Sequence, residues 1–166
     1  ENEGETASKL AIRLAHAKAD RIAKLTKNLN TVIIGADQAA SINNKLLRKP
    51  GNMNNALRQL MACQGKVVSF YTACCVIDLR SKGIQQYTDK TQVRFLTLHK
   101  KQLERYIQVE KPFNCAGGFK AEGLGISLFQ SISSSDPTAL LGLPLIWLAG
   151  VLRDLDLDPL KTSTKV

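Results

Sequence analysis

The sequence predicts an α/β fold built on a mixed twisted sheet flanked by helices, and three observations carry that expectation. Helix-like and strand-like periodicities alternate along the chain, two strand-like runs at 66–77 and 91–98 are joined by a hairpin-length connection, and hydrophobic residues make up 44% against 22% charged. Interleaved elements build α/β layers, and a hairpin within them adds an antiparallel pair. A length of 166 residues fits one domain, and the composition supports a packed core rather than disorder. Residues 1–166 are therefore read as a single domain.

The elements follow in order. Over 7–27 the apolar Leu10, Leu14, Ala17, Ile22 and Leu25 recur at helical spacing, with Lys9, Arg13, Lys18, Arg21 and Lys24 interleaved. This is an amphipathic basic helix whose bases read as a solvated face. The β-branched run Thr31-Val32-Ile33-Ile34-Gly35 is long enough for a strand buried on both faces and too short for a helix, which places Asp37 just past its end. Asn43-Asn44 and Lys49-Pro50-Gly51 mark turns. Residues 54–63 read as a second helix, 66–77 as a long strand, and 91–98 as another after a turn at Gly83. A helix over 99–109 precedes a glycine-rich block at 115–126 and a serine-rich loop at 131–136. Pro144 can start the last helix, which is apolar nearly all round to Leu155 and so suits a core or a subunit contact.

Several classes are excluded or weakened. The longest apolar stretch, 138–152, is shorter than a membrane span and carries Gly142, Pro144 and Gly150. Cys63, Cys74, Cys75 and Cys115 fit no zinc spacing, so they read as reduced thiols of a cytosolic protein. His16 and His99 have no partner at metal or triad spacing, and Trp147 reads as core. With 23 Lys and Arg against 14 Asp and Glu the net charge is +9, yet aromatics are only 5%, which disfavours a base-stacking nucleic-acid platform.

The charge is patterned. Between Asp20 and Asp78 the single acid is Asp37, while the interval holds Arg21, Lys24, Lys27, Lys45, Arg48, Lys49, Arg58 and Lys66. A lone carboxylate at a strand end in basic surroundings stands where open α/β sheets bind ligands. A capping or turn Asp accounts for the spacing equally well. The glycines at 117, 118, 123 and 125 match neither the dinucleotide fingerprint nor the phosphate loop, because Leu124 stands where the latter needs Lys. They frame Lys120 and Glu122 either as a ligand-facing loop or as a tight chain crossing with two solvated charges. Lys49, taken alone, reads as solvent-facing.

The fragments occur together. Ile33-Ile34-Gly35-Ala36-Asp37-Gln38, Arg48-Lys49-Pro50, Cys115-Ala116-Gly117-Gly118-Phe119-Lys120-Ala121-Glu122-Gly123-Leu124-Gly125-Ile126 and Leu141-Gly142-Leu143-Pro144-Leu145 resemble, in order and spacing, the Maf family of nucleoside triphosphate pyrophosphatases. The resemblance runs from the Arg13-Leu14-Ala15 helix to the Pro144 helix. Gln38 and Phe119-Lys120-Ala121-Glu122-Gly123 are similar to the branch acting on 7-methyl-GTP, whereas the dTTP and UTP branch shows Thr and Ile-Gln-Gly there.

The resemblance implies a Maf and inosine-triphosphatase-like architecture and cleavage between the α and β phosphates, giving a monophosphate and pyrophosphate. It implies Asp37 as proton acceptor and possible metal ligand, Gln38 and Glu122 as selectors of the base, and Lys49 and Lys120 facing the phosphates. It further implies a divalent cation, Mg²⁺ or Mn²⁺, a nucleoside triphosphate as small-molecule partner, a cytoplasmic location and often a homodimer. A carboxylate of pKa about 4 is a weak base toward free water, which accords with a metal that acidifies the attacking water. Glu122 suits guanine, whose N1 and N2 hydrogens donate, and repels the carbonyl-rich edge of thymine. Two other functions remain: a pyrophosphatase for dTTP, UTP or other modified nucleotides, and a non-catalytic basic module that binds nucleotides or nucleic acid, tied to division arrest. The strand and Ser- and Arg-containing loop with which the family opens have no counterpart in this sequence, so the domain is expected to be N-terminally incomplete and weak or inactive as it stands. Glu1, Glu3 or Glu5 is the expected place of a metal-binding acid before the first helix.

Overall fold

The computed structural model describes residues 4–161. The first helix, α1 (Ala7–Leu25), is opened by Thr6, whose hydroxyl oxygen accepts the Lys9 N–H at 3.3 Å. After it come β1 (Val32–Ile42), β2 (Lys45–Leu47), α2 (Met53–Cys63), β3 (Val67–Asp78), β4 (Gly83–Phe95), α3 (Lys100–Glu110), β5 (Phe129–Ser133) and α4 (Leu145–Asp154). The five strands form one sheet in the order β2-β1-β3-β4-β5.

The class is α/β with helices on both faces, as expected, but every described strand pairing is antiparallel, so the sheet is not mixed. The cause lies in the β1–β2 hairpin. Asn43 and Asn44 take φ of 48° and 62°, the left-handed pair that a two-residue hairpin loop requires and that Asn tolerates well. That reversal turns the chain before α2 carries it back, and β3 therefore meets β1 running the opposite way.

Three further differences come from pairing rather than from propensity, and the first is that β4 begins at Gly83, expected as a turn, because β3 pairs with it from Asp78↔Gly83 onward. β1 does not end at Gly35, because β3 offers it ten consecutive partners from Val32↔Asp78 to Ser41↔Ser69. The serine-rich segment is not all loop, because its first part takes up the open edge of β4 as β5, Gln92 opposite Ser133 and Val93 opposite Ile132.

Alternation along the strands divides the core. Ile33 and Ala39 of β1, with Ala73, Cys75 and Ile77 of β3, pack on Ala7, Leu10, Ala11, Ala15 and Ala19 of α1. On the other face Ala40, Phe70, Val93 and Phe95 pack on Ala56 and Leu60 of α2 and on Leu103 and Ile107 of α3. Cys74 and Val76 meet Leu148 and Val151 of α4, whose outer side leaves Leu145 and Ile146 exposed, so α4 is buried on one face only. The small alanines of α1 let it lie close, and Gly35 is where it lies closest. A Cβ there would overlap the Ala15 carbonyl and stand 2.8 Å from the Ala19 Cβ.

Candidate active site

Asp37 sits in the middle of β1, opposite Ala73, not past the strand's end. Since residues of one strand alternate between faces, Asp37 points toward α1 with Gly35 and Ala39, while Gln38 points the other way. The approach that Gly35 permits brings Lys18 of α1 over the strand. Its ammonium lies 2.6 Å from an Asp37 carboxylate oxygen and donates to the Ala36 carbonyl at 2.8 Å. Lys18 is thus not part of a purely solvated face. The signal that could have revealed it is positional: it follows Ala11 and Ala15 on the packed side of the helix by seven and three residues.

Asp37 and Gln38 border an open cleft of about 670 Å³, walled by Leu10 and Leu14 of α1, by Leu47 at the end of β2 and by Arg48 and Lys49 just after it, with Ala116 of the glycine-rich block at its rim. Lys49 is solvent-exposed yet stands on a held segment. The Pro50 carbonyl accepts the Asn55 side-chain N–H at 2.9 Å, and the Gly51 N–H donates to the Phe113 carbonyl at 2.9 Å. The cleft therefore places one carboxylate among the cations of Lys18, Arg48 and Lys49, an arrangement suited to a polyanion that has to be attacked by water.

Gln38 is anchored rather than loose. Its amide nitrogen donates to the Thr72 hydroxyl at 2.8 Å and to the carbonyls of Ala139 and Leu140 at 3.2 Å each. What remains for a ligand is the acceptor side of that amide.

The glycine-rich block follows α3 and runs through two short 3₁₀ turns, Ala116–Gly118 and Leu124–Leu128. Glu122 is exposed on it. The Cys115 thiol is pushed up by burial, opposed by the nearby charges of Lys120 and Lys49 and reinforced by Glu122 and Glu110, so these four charges share one neighbourhood around Cys115. Lys120 does not reach the cleft. Its ammonium is held 2.7 Å from the Glu110 carbonyl and 3.9 Å from the Glu110 carboxylate.

Among the described residues no three His, Cys, Asp or Glu side chains gather into a metal-binding group. Glu5 is gripped by Arg13, Nε and Nη2 each 2.7 Å from a carboxylate oxygen, while Glu1 and Glu3 lie outside the described residues. The single Asp37 carboxylate still fits an ion such as Mg²⁺, which keeps waters and is held by one or two carboxylates together with substrate phosphates. No described helix is long and apolar enough to cross a membrane.

Comparison with known proteins gives a consistent picture. Residues 1–155 match the family described as Maf-like protein. A protein of Saccharophagus degradans named 7-methyl-GTP pyrophosphatase is 48% identical over 157 residues, covering 95% of this chain and 79% of the relative. Proteins of the same name from Alcanivorax borkumensis and Idiomarina loihiensis are 46% and 43% identical, covering 91% and 94% of this chain and 76% and 79% of their own lengths.

Proposed function

The chain belongs to the Maf family, and from that premise we propose that it is a nucleoside triphosphate pyrophosphatase hydrolysing 7-methyl-GTP to its monophosphate and pyrophosphate. The observation that carries the reading is the Asp37 carboxylate set among Lys18, Arg48 and Lys49 in the cleft.

Asp37 accepts the proton of the attacking water. Lys18, bound to both Asp37 and the Ala36 carbonyl, fixes the carboxylate's direction and offsets the repulsion between it and an incoming phosphate. Lys49, with Arg48, meets the charge of the departing pyrophosphate. A divalent cation, Mg²⁺ or Mn²⁺, would be held by Asp37 and the phosphates, and supplies a more acidic water and charge neutralisation. Gln38 presents its carbonyl oxygen and Glu122 its carboxylate to the donor edge of the guanine, and the positive charge that methylation places on the ring is favoured by the same carboxylate. Lys120 serves the loop that carries Glu122 rather than the phosphates.

Four free cysteines, three of them buried, accord with the reducing conditions of the cytoplasm. A homodimer would use the exposed apolar side of α4 around Ile146, and light scattering at micromolar protein tests it.

The deciding experiment is a panel of 7-methyl-GTP, GTP, dTTP and UTP with Mg²⁺ or Mn²⁺, run on the protein with the family's opening strand and loop in place and on its Asp37→Asn and Glu122→Gln variants. Full turnover in Asp37→Asn removes the proposed base. An unchanged substrate preference in Glu122→Gln removes the proposed reader. Binding of nucleotides without hydrolysis by the protein that has the opening strand and loop favours the non-catalytic module.

A further inference from the structure

Glu122 stands on a segment without regular structure, so something else has to hold it where a base can be read. That holder is Glu110, the last residue of α3, whose side chain is only 16% exposed. One carboxylate oxygen accepts the Leu124 N–H at 2.7 Å, and the Glu110 carbonyl accepts the Lys120 ammonium at 2.7 Å. One turn earlier on α3, the Tyr106 hydroxyl accepts the Lys120 N–H at 3.0 Å. The attachments fall two residues before Glu122 and two residues after it, so they determine its position from both sides.

Gly123 reports the same device from the loop's side. Its φ of −116° is open to any residue, yet a Cβ there would stand 2.5 and 2.9 Å from the two Glu110 carboxylate oxygens. A side chain at this position would displace the Glu110 carboxylate, the movable end of that side chain, and so break its bond to the Leu124 N–H. Gly125 closes the turn further, since a Cβ on it would overlap the Lys120 carbonyl.

We propose that Glu110 is a positioning residue for substrate selectivity: through Leu124 and Lys120 it fixes the loop that presents Glu122 to the base, without touching the base itself. The proposal rests on the functional reading above. It explains why Lys120 is diverted from the cleft, because its ammonium completes the Glu110 clamp.

The test compares kcat/KM for 7-methyl-GTP and GTP in the wild type, Glu110→Ala, Glu110→Gln and Gly123→Ala. Misplacement of a contact group by about 1 Å costs on the order of 100-fold, so Glu110→Ala is expected to lower kcat/KM for 7-methyl-GTP by about that factor and to bring the ratio of the two substrates toward one. Glu110→Gln keeps an acceptor for the Leu124 N–H and restores most of the ratio. Gly123→Ala displaces the Glu110 carboxylate from the Leu124 N–H while leaving residue 110 unchanged, and lowers the ratio too, which keeps the test decisive where Glu110→Ala folds poorly. A wild type active on 7-methyl-GTP whose Glu110→Ala and Gly123→Ala variants lose both substrates equally overturns the role of Glu110 alone. A protein that carries the family's opening strand and loop and still hydrolyses no triphosphate overturns the functional reading as well. Faster hydrogen exchange over 120–126 in Glu110→Ala, with β3 unchanged, is the expected signature of the clamp itself, and unchanged exchange there overturns it.

Discussion

The ammonium of Lys18 lies 2.6 Å from the carboxylate of Asp37, joining the packed side of α1 to the middle of β1 across a gap that a single glycine, Gly35, keeps short. Lys18 is 58% exposed and Asp37 18%, so the pair sits at the boundary where a cleft meets solvent. Exposed pairs of this kind contribute about 0–1 kcal/mol to stability. The pair is therefore expected to matter for catalysis far more than for folding.

Asp37→Asn is expected to lower kcat by roughly 10²–10⁴-fold, the range for loss of a general base. Lys18→Met is expected to lower it by about 100-fold. The double variant should be no worse than Asp37→Asn alone, because Lys18 acts through the carboxylate it orients. Steady-state kinetics of the four proteins test this, and additive losses would show two independent roles.

Lys49→Met should raise KM and lower kcat for every triphosphate alike, because the phosphates are common to all. Lys120→Met should instead alter the preference among bases, since its ammonium is bound to Glu110. Equal behaviour of the two variants across the substrate panel would contradict this division of labour.

Gly35→Ala is expected to destabilise the fold by about 1–3 kcal/mol, as overpacking of a tight core does. The added methyl meets backbone of α1 and the Ala19 side chain, neither of which can swing away. Urea denaturation provides the measurement. An unchanged midpoint would mean that α1 sits farther from β1 than the structure has it.

Acid should destabilise the protein below about pH 4, the ordinary carboxylate range. The Asp78 carboxyl is held below its usual value chiefly by the Arg80 guanidinium, 2.8 Å away. Burial acts to raise Asp136, and the hydrogen bonds from Thr138, the Ile146 N–H and Ala139 outweigh it, so that carboxyl is also lowered. A depressed folded-state value means that the stabilisation is complete above the unfolded value and drains away as pH falls through the folded one. Thermal melts from pH 7 to 2 should show this loss, with a shallower acid slope in Asp136→Asn. The same slope in that variant would remove Asp136 from the account.

A thiol reagent at pH 8 should modify Cys115 before Cys63, Cys74 or Cys75. Burial pushes Cys63 and Cys74 up to about 11, and both are fully shielded, whereas Cys115 is half-buried beside the cleft rim. A bound triphosphate should slow the Cys115 reaction. Mass-spectrometric mapping of labelled peptides with and without nucleotide checks both points.

Much of this architecture is legible in the residues alone. The helical spacing of Leu10 and Leu14, the β-branched run from Val32, the Asn43-Asn44 turn and Pro144 before α4 each specify a local conformation through local chemistry, and the helix boundaries stay close to those readings, whereas β1 runs on to Ile42 and β4 begins at Gly83 rather than Thr91. The concentration of bases around one acid points to Asp37, while Lys49 stands out only through the family resemblance. Less legible was the behaviour of 36–42 and 129–133, whose weak strand signals are overridden by the open edges of β3 and β4. For that reason Asp37 lies inside β1 rather than past its end, since a carboxylate has little strand preference of its own to mark the position.

By itself, then, the sequence determined the order and type of most elements, the basic surroundings of Asp37 and a glycine-rich segment bearing Lys120 and Glu122. The tertiary structure decided which of these charges meet: Lys18 with Asp37, Lys120 with Glu110, and Gln38 with the Ala139 and Leu140 carbonyls. The reason is that periodicity records the direction of a side chain relative to its own helix or strand, whereas a hydrogen bond or ion pair depends on how closely separate elements approach. That separation is set across the whole packed sheet, here by the absence of a side chain at Gly35 and Gly123.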